Sequence, residues 1–162
     1  MRRITMPAVP VAALVAMALL ALGVLVWQAS VWRTAQRDDD RRAAAVETAE
    51  AQVLDLTTMD PTTVRSKMKK LTARLDGDFK RQFEGFSSSF STAVTDDKIT
   101  AEGEIKGSAI SAYDGDSATV LIASAADIGR GGQETVARGW RFSVALERSG
   151  DTWLISGMEF VQ

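Results

Sequence analysis

The feature that most constrains this chain is an uncharged apolar segment close to its start. No Asp, Glu, Lys or Arg occurs between Ile4 and Trp32, and Val11–Val26 consists almost wholly of Ala, Val, Leu and Met. An α-helix rises about 1.5 Å per residue, so about 20 apolar residues cross roughly 30 Å of hydrocarbon. The sequence therefore predicts a transmembrane helix over residues 9–32, after a short tail of residues 1–8.

A cleaved signal peptide is the alternative interpretation of the same segment. Arg2 and Arg3 precede the apolar run, as basic residues do in signal peptides, but the run exceeds their usual apolar length of about 7–15 residues. No small-x-small cleavage site follows cleanly, since a cut after Ala29 would place Trp27 at the −3 position. We therefore expect the anchor to remain in the mature protein.

The charges beside this segment leave its orientation open. Arg2, Arg3 and the terminal amine lie before it, whereas residues 33–42 after it carry four Arg and three Asp. Counted on Arg alone, the positive-inside rule places the following domain in the cytoplasm. The three Asp can pair with neighbouring Arg at helical spacing, however, and large domains cross membranes largely regardless of flanking charge.

The composition removes several classes of function. The 162 residues include no Cys and no His, which excludes a thiolate nucleophile, an imidazole base and a Cys/His zinc site. The formal net charge is −2, and setting aside Arg2 and Arg3 (+2) and residues 33–42 (+1) leaves −5 for the rest of the chain. An acidic domain lacks the positive surface that binds phosphate backbones. The sequence predicts no catalytic, cofactor or metal site, and no nucleic-acid partner.

A juxtamembrane helix is predicted over residues 33–57. This stretch contains no Gly or Pro, and its apolar residues recur at spacings of three and four, namely Val46, Ala49, Val53 and Leu56. We expect a stalk that leads into the domain. A coiled-coil stalk is the alternative, but the apolar stripe is too short for several sustained heptads.

Two further helices are predicted between residues 60 and 98. The pair Asp60-Pro61 is a helix-start signal, and Val64, Met68, Leu71 and Leu75 then mark an apolar stripe that ends near Gly77. We expect Asp78 to begin the third helix. Its four phenylalanines have the i, i+4, i+7 and i+11 spacing that is typical of a core face: Phe79, Phe83, Phe86 and Phe90.

From Ile99 the period of the sequence changes from helical to alternating, which predicts four strands. The first, Ile99–Tyr113, bends around Gly103 and Gly107, and the second covers Ser117–Ile128. The third alternates from Trp140 to Glu147. The last follows Asp151 and changes phase at Ser156-Gly157, as a β-bulge would produce. The pattern predicts an α+β fold with about three helices on one side of a curved four-stranded antiparallel sheet.

The order of these features resembles the Mce-associated membrane proteins of actinobacteria. The resemblance covers the apolar span, the Ala/Glu-rich stalk, "LTTMDPTTVRSKM" (residues 56–68), Gly77–Phe79, the four strands and the closing "GDTWLISGMEF" (residues 150–160). Domains of that family are similar to nuclear transport factor 2 (NTF2) and to the VirB8 components of type IV secretion. The resemblance implies a cone-shaped NTF2-like domain over residues 58–162.

The resemblance also implies a role without chemistry. It implies an accessory subunit that stabilises or assembles an Mce-type lipid or sterol import system. Such a subunit is a single-pass protein of the inner (plasma) membrane whose C-terminal domain lies outside the cytoplasm. Its partners would be the membrane and the protein subunits of the transporter. The sequence does not specify an oligomeric state.

Three alternatives remain open at the level of sequence. One is a VirB8-like component of a secretion or conjugation machine, which shares the fold. Another is an isomerase-like NTF2 domain, although its lone tyrosine, Tyr113, adjoins a predicted surface turn and its carboxylates lie mainly in helix starts and turns. The third is a pocket for a lipid or sterol within the cone, with Trp140, Phe142 and Trp153 as candidate lining residues. Core packing explains the same aromatic residues equally well.

Overall fold

The computed structural model describes residues 36–161. The whole sheet lies within one compact unit that begins at Arg41. The predicted tail of residues 1–8 and transmembrane helix of residues 9–32 lie outside the described residues. Among the residues that the structure describes, no helix is both long enough and apolar enough to span a membrane.

Helix α1, over residues 36–57, supplies one wall of the core. Ala45, Ala49 and Val53 are fully buried, at the helical spacing that the sequence shows. They share one apolar cluster with residues from the second, third and fourth strands. From residue 45 onward, the helix predicted as a stalk is therefore also part of the core of the domain.

Helix α2 covers Val64–Ala73 and begins later than Asp60-Pro61 predicted. Its N-cap is Thr63, which makes no side-chain capping bond. Asp60 instead accepts a hydrogen bond at 2.8 Å from the Thr62 amide and another from the Thr62 hydroxyl, which fixes a turn before the helix. This local bond competes with direct capping and moves the helix start towards the C-terminus.

Helix α3 covers Gly77–Asp96, and Asp76, not Asp78, is its N-cap. The Asp76 carboxylate accepts the Gly77 amide at 2.8 Å, while Asp78 lies in the first turn. The segment between α2 and α3 is tied to the sheet, because Ile155 donates to the Arg74 carbonyl at 2.8 Å and accepts from the Asp76 amide at 3.0 Å. The helix start is therefore fixed by tertiary pairing as well as by its cap.

The phenylalanine stripe of α3 is only partly buried, which corrects the prediction of a core face. Phe79 and Phe83 pack against the cluster that contains Val53, and Phe90 packs against a second apolar cluster, which includes Leu71 of α2 and Val94 of α3, but Phe86 is 51% exposed. The fully buried positions of the helix are Ser91 and Val94. At about 100° per residue, Phe86 and Val94 are about 80° apart around the helix, so the rotation of α3 leaves Phe86 at the rim.

Four antiparallel strands form one sheet in the order β1-β2-β3-β4. They cover β1 Ile99–Tyr113, β2 Ser117–Arg130, β3 Val136–Ser149 and β4 Thr152–Phe160. Strand β3 thus begins four residues before the predicted Trp140. The α+β fold with three helices on a four-stranded antiparallel sheet is confirmed.

The predicted irregularity in β4 is present. Ala145 pairs with Gly157 but Leu146 pairs with Ile155, so Ser156 is the extra residue of a bulge. Strand β1 has its own register shift between Ile105 and Gly107, close to one of the predicted bends. These bulges change which residues face the helices, because each inserted residue shifts the alternation by one.

Candidate functional site

The three aromatic residues predicted to line a pocket all lie on the helix-facing side of the sheet. Phe142 and Trp153 are 2% and 3% exposed and belong to the main apolar cluster, against which the half-buried Trp140 packs. The Trp153 indole Nε1 donates to the Arg41 carbonyl at 3.0 Å, so this ring also joins β4 to α1. Phe142 and Trp153 are packed as core residues.

Two neighbouring grooves lie along the sheet and share Ala123, Arg141 and Val161. Their volumes are about 480 and 450 Å³. Phe142 borders the first and Trp140 borders the second, whereas Trp153 borders neither. The structure therefore does not bring the three predicted residues together around either groove.

A third groove, of about 610 Å³, runs between α2 and α3. Its lining includes Arg65, Lys69 and Lys80 beside one carboxylate, Glu84. Hydroxyl groups from both helices complete its walls. Because the basic groups are surface side chains without a buried polar partner, the groove has no chemistry that singles out a ligand.

Tyr113 is placed differently from the sequence expectation of a surface turn. Its ring is half-buried at the end of β1, and the Arg42 guanidinium lies 4.3 Å from the ring centroid. The Trp153 ring centroid is 6.3 Å away. The buried phenolic oxygen has no hydrogen-bond partner among the described residues. The contacts of the ring are thus those of an aromatic and cation–π cluster, which packs α1 against the sheet.

The carboxylates with a clearly shifted pKa belong to turns. Hydrogen bonds from the Thr62 side chain and backbone lower the pKa of Asp60 below its ordinary value. Hydrogen bonds from Ser117, and then from the Asp116 amide, lower the pKa of Asp114 in the β1–β2 turn. A general acid requires a raised pKa instead. Within residues 36–161, no group of three or more Asp or Glu is placed to hold a metal ion.

The feature that the sequence did not predict is a length of β3 that pairs with β2 on one side but with none of the described residues on the other. Strand β4 ends at Phe160, opposite Phe142, whereas β3 extends back to Val136. We call residues 136–140 the open β3 edge. Residues 136–139 (Val-Ala-Arg-Gly) do not alternate apolar and polar side chains and follow a glycine-rich loop, so no local pattern indicates a strand start before Trp140.

Comparison with known sequences identifies a family and one relative. The family described as "Uncharacterized protein Rv1363c/MT1408-like" matches residues 4–162. The protein described as "Uncharacterized protein Rv1363c" of Mycobacterium tuberculosis is 25% identical over 122 residues. That alignment covers 75% of this chain and 47% of the relative, so the match spans about half of the longer protein.

Comparison with solved structures shows the fold. An IcmL-like type IV secretion system protein from Legionella pneumophila superposes with a TM-score of 0.62 at 9% identity, covering 74% of this chain and 91% of that one. The VirB8 protein of Agrobacterium tumefaciens gives 0.60 at 10% identity, covering 77% and 92%. At these identities the likeness establishes a VirB8/NTF2-like fold, and function does not follow from it.

Proposed function

The chain belongs to the Rv1363c/MT1408-like family, and on this premise we propose that it is a non-enzymatic, membrane-anchored accessory subunit. It stabilises or assembles an Mce-type lipid or sterol import system in the cell envelope. A single span in the plasma membrane holds the C-terminal domain outside the cytoplasm. Its partners are the membrane and the protein subunits of the transporter.

The observation that carries this proposal is the packed apolar core that α1 forms with the sheet. Val53 of α1 and Val120, Val144 and Ile155 of the sheet are fully buried in one cluster, where an NTF2-like enzyme would need a cavity. The carboxylates with shifted pKa values are turn residues, and their shifts oppose proton donation. What the domain presents to other molecules is therefore surface, which supports binding over catalysis.

The choice of an import system rests on the resemblance of the sequence to Mce-associated proteins. A second candidate is a VirB8-like component of a secretion or conjugation machine. The solved structures of similar fold favour it, because they include VirB8 of Agrobacterium tumefaciens and an IcmL-like type IV secretion protein. Both candidates are assembly roles, and they differ in the machine that is served.

The test compares three forms of the protein in a null strain. One is the wild type, one lacks residues 1–32, and one carries Tyr113→Phe together with Asp114→Asn. Abundance of the Mce subunits and uptake of radiolabelled lipid are measured for each form, with conjugation frequency as the readout for the second candidate. We expect the released form to lose subunit abundance and uptake together, and the double variant to retain both.

Two outcomes would contradict the proposal. A double variant that folds and keeps subunit levels, yet loses uptake, would indicate catalysis. A released form that restores uptake fully would show that anchoring is dispensable. Loss of conjugation with normal lipid uptake would favour the VirB8-like candidate.

A further inference from the structure

The open β3 edge presents backbone groups that no residue in the described part of the chain pairs with. The Val161 amide donates to the Arg141 carbonyl at 2.9 Å, at the end of the β3–β4 ladder. Alternate residues of a strand direct their N–H and C=O groups to the same side. Ala137 and Gly139 therefore direct their N–H and C=O groups to the side of β3 on which β4 lies further along the strand. No backbone group in residues 36–161 pairs with them.

Exposed apolar side chains are concentrated at the same place. Val136, Phe160 and Val161 are 50%, 71% and 42% exposed. Phe160 and Val161 line the 450 Å³ groove together with Trp140, whereas Val136 lies at the far end of the open β3 edge. Large exposed apolar groups around an unpaired strand mark a surface that another chain can cover.

A buried hydroxyl borders this groove without a partner. Ser124 is 4% exposed, and its Oγ has no hydrogen bond to any group in the described part of the chain. It lies opposite Trp140 on the neighbouring strand. Buried polar groups are normally hydrogen-bonded, so a chain that covers this groove can supply a partner for the Ser124 hydroxyl.

The charge of the edge indicates the chemistry of the occupant. Arg141 pairs with Ala123 on the outer side of the sheet, and Arg138 pairs with Ala126 on the helix side. Neither forms an ion pair within residues 36–161, although Glu159 lies on the same side of the sheet as Arg141, opposite Ser143 two residues further along β3. A second copy paired here would add two more arginines, and facing like charges destabilise a sheet.

We infer that the open β3 edge binds an extended segment of a partner protein, which adds a strand to the sheet. The segment alternates apolar and acidic residues. Its apolar side chains cover Trp140 and Phe160, its carboxylates reach Arg141, and its backbone pairs with Gly139. This inference deepens the proposed function by specifying the contact through which assembly occurs.

The test uses full-length protein in nanodiscs of neutral phosphatidylcholine. The probe is a fluorescent eight-residue peptide of alternating valine and glutamate, and its control alternates valine and lysine. Binding is followed by fluorescence anisotropy, and protection of residues 136–140 by amide hydrogen exchange. We expect the glutamate peptide to bind and protect the edge, and the lysine peptide to bind at least about tenfold more weakly.

Two substitutions of Gly139 distinguish backbone pairing with the peptide from side-chain packing against it. A Cβ at Gly139 would have the Ser124 carbonyl oxygen as its nearest neighbour, at 3.7 Å, so Gly139→Ala fits and keeps the amide. Gly139→Pro removes an amide that the described chain does not use, at an edge where proline is tolerated. We expect Gly139→Pro to weaken binding about threefold to tenfold relative to Gly139→Ala, with similar melting of both variants.

Equal binding by the two Gly139 variants, or equal binding of the two peptides, would overturn the inference. A concentration-dependent dimer that Gly139→Pro abolishes would also overturn it, by assigning the edge to a second copy. The Gly139 variants retain residues 1–32, and the form that lacks residues 1–32 retains the open β3 edge. The inference and the proposed function can therefore fail separately.

Discussion

At the scale of single residues, Trp153 carries two separable interactions. Its ring is buried in the core, and its Nε1 donates to the Arg41 carbonyl at 3.0 Å. We expect Trp153→Phe to lower the free energy of unfolding by about 0.5–1.5 kcal/mol for the lost hydrogen bond, plus the cost of reduced packing. Urea unfolding measures the change. Trp140→Phe is the matched control, since its half-buried indole makes no hydrogen bond within the described residues. An equal effect of both changes would contradict the role of the bond.

Asp60 provides a prediction about pH. Its pKa in the folded protein is lowered by the hydrogen bonds of Thr62, so the folded state binds fewer protons than the unfolded state near pH 4. The stabilisation is present above the unfolded pKa of about 3.9 and is lost as pH falls through the folded pKa. We expect Asp60→Asn to be less stable than wild type at pH 7 and closer to it at pH 3. Urea unfolding at both pH values measures the gap, and a gap independent of pH would refute the assignment.

The candidate aromatic residues show what a sequence can settle at this scale. Alternation placed Trp140 and Phe142 correctly on one side of the sheet. It could not decide whether that side faces a cavity or a packed core, because both require apolar side chains. Similarly, the sequence predicts that Asp78 begins α3, but Asp76 is the N-cap, and its amide pairs with the Ile155 carbonyl of β4.

At the scale of elements, Gly103 allows the end of α1 and the segment that follows it to lie against β1. A Cβ at Gly103 would come within 2.3 Å of the Thr57 Oγ1 and 2.9 Å of the Thr57 carbonyl carbon. The same segment is joined to β1 by reciprocal bonds at 2.8 Å between Met59 and Ala101. We expect Gly103→Ala to lower the free energy of unfolding by about 1–3 kcal/mol, because backbone atoms must move apart.

Gly107→Ala is the matched control for this substitution. A Cβ at Gly107 meets nothing within 4 Å, although both glycines lie in the same strand. Thermal unfolding of both variants measures the difference. Equal destabilisation would show that strand propensity, not the contact with Thr57, explains the requirement for glycine at position 103.

The elements themselves differ in how far the sequence predicts them. Strand β1 and the β4 bulge were predicted correctly, because alternation and a change of phase are local signals. The rotation of α3 was not predictable. Its four phenylalanines define an apolar face, but the burial of Ser91 and Val94 depends on the positions of α2 and β1, which no local pattern contains. The open β3 edge was missed for a related reason, since an edge is defined by where the neighbouring strand ends.

At the scale of the whole molecule, α1 is the element whose role differs most between sequence and structure. The sequence assigned residues 33–57 to a stalk and the domain to residues 58–162. In the structure, Ala45, Ala49 and Val53 pack in the same cluster as Val120 and the rest of the sheet core. The apolar stripe was visible in the sequence, but a stripe does not identify the surface that covers it. Only the packed fold shows that α1 covers the sheet.

This packing gives contrasting predictions for two truncations. We expect a chain lacking residues 1–32 to be soluble and to unfold cooperatively, because the described core begins at Ala45. A chain lacking residues 1–57 loses a whole helix face from the core and the acceptor of the Trp153 indole. The free energy of unfolding of a typical domain is only about 5–15 kcal/mol, and losing a helix from the core removes stabilisation of that order. We therefore expect no cooperative transition. Circular dichroism during thermal unfolding measures both chains. A cooperative transition of the shorter chain would restore the stalk interpretation, and the absence of one in the longer chain would show that folding requires residues 1–32.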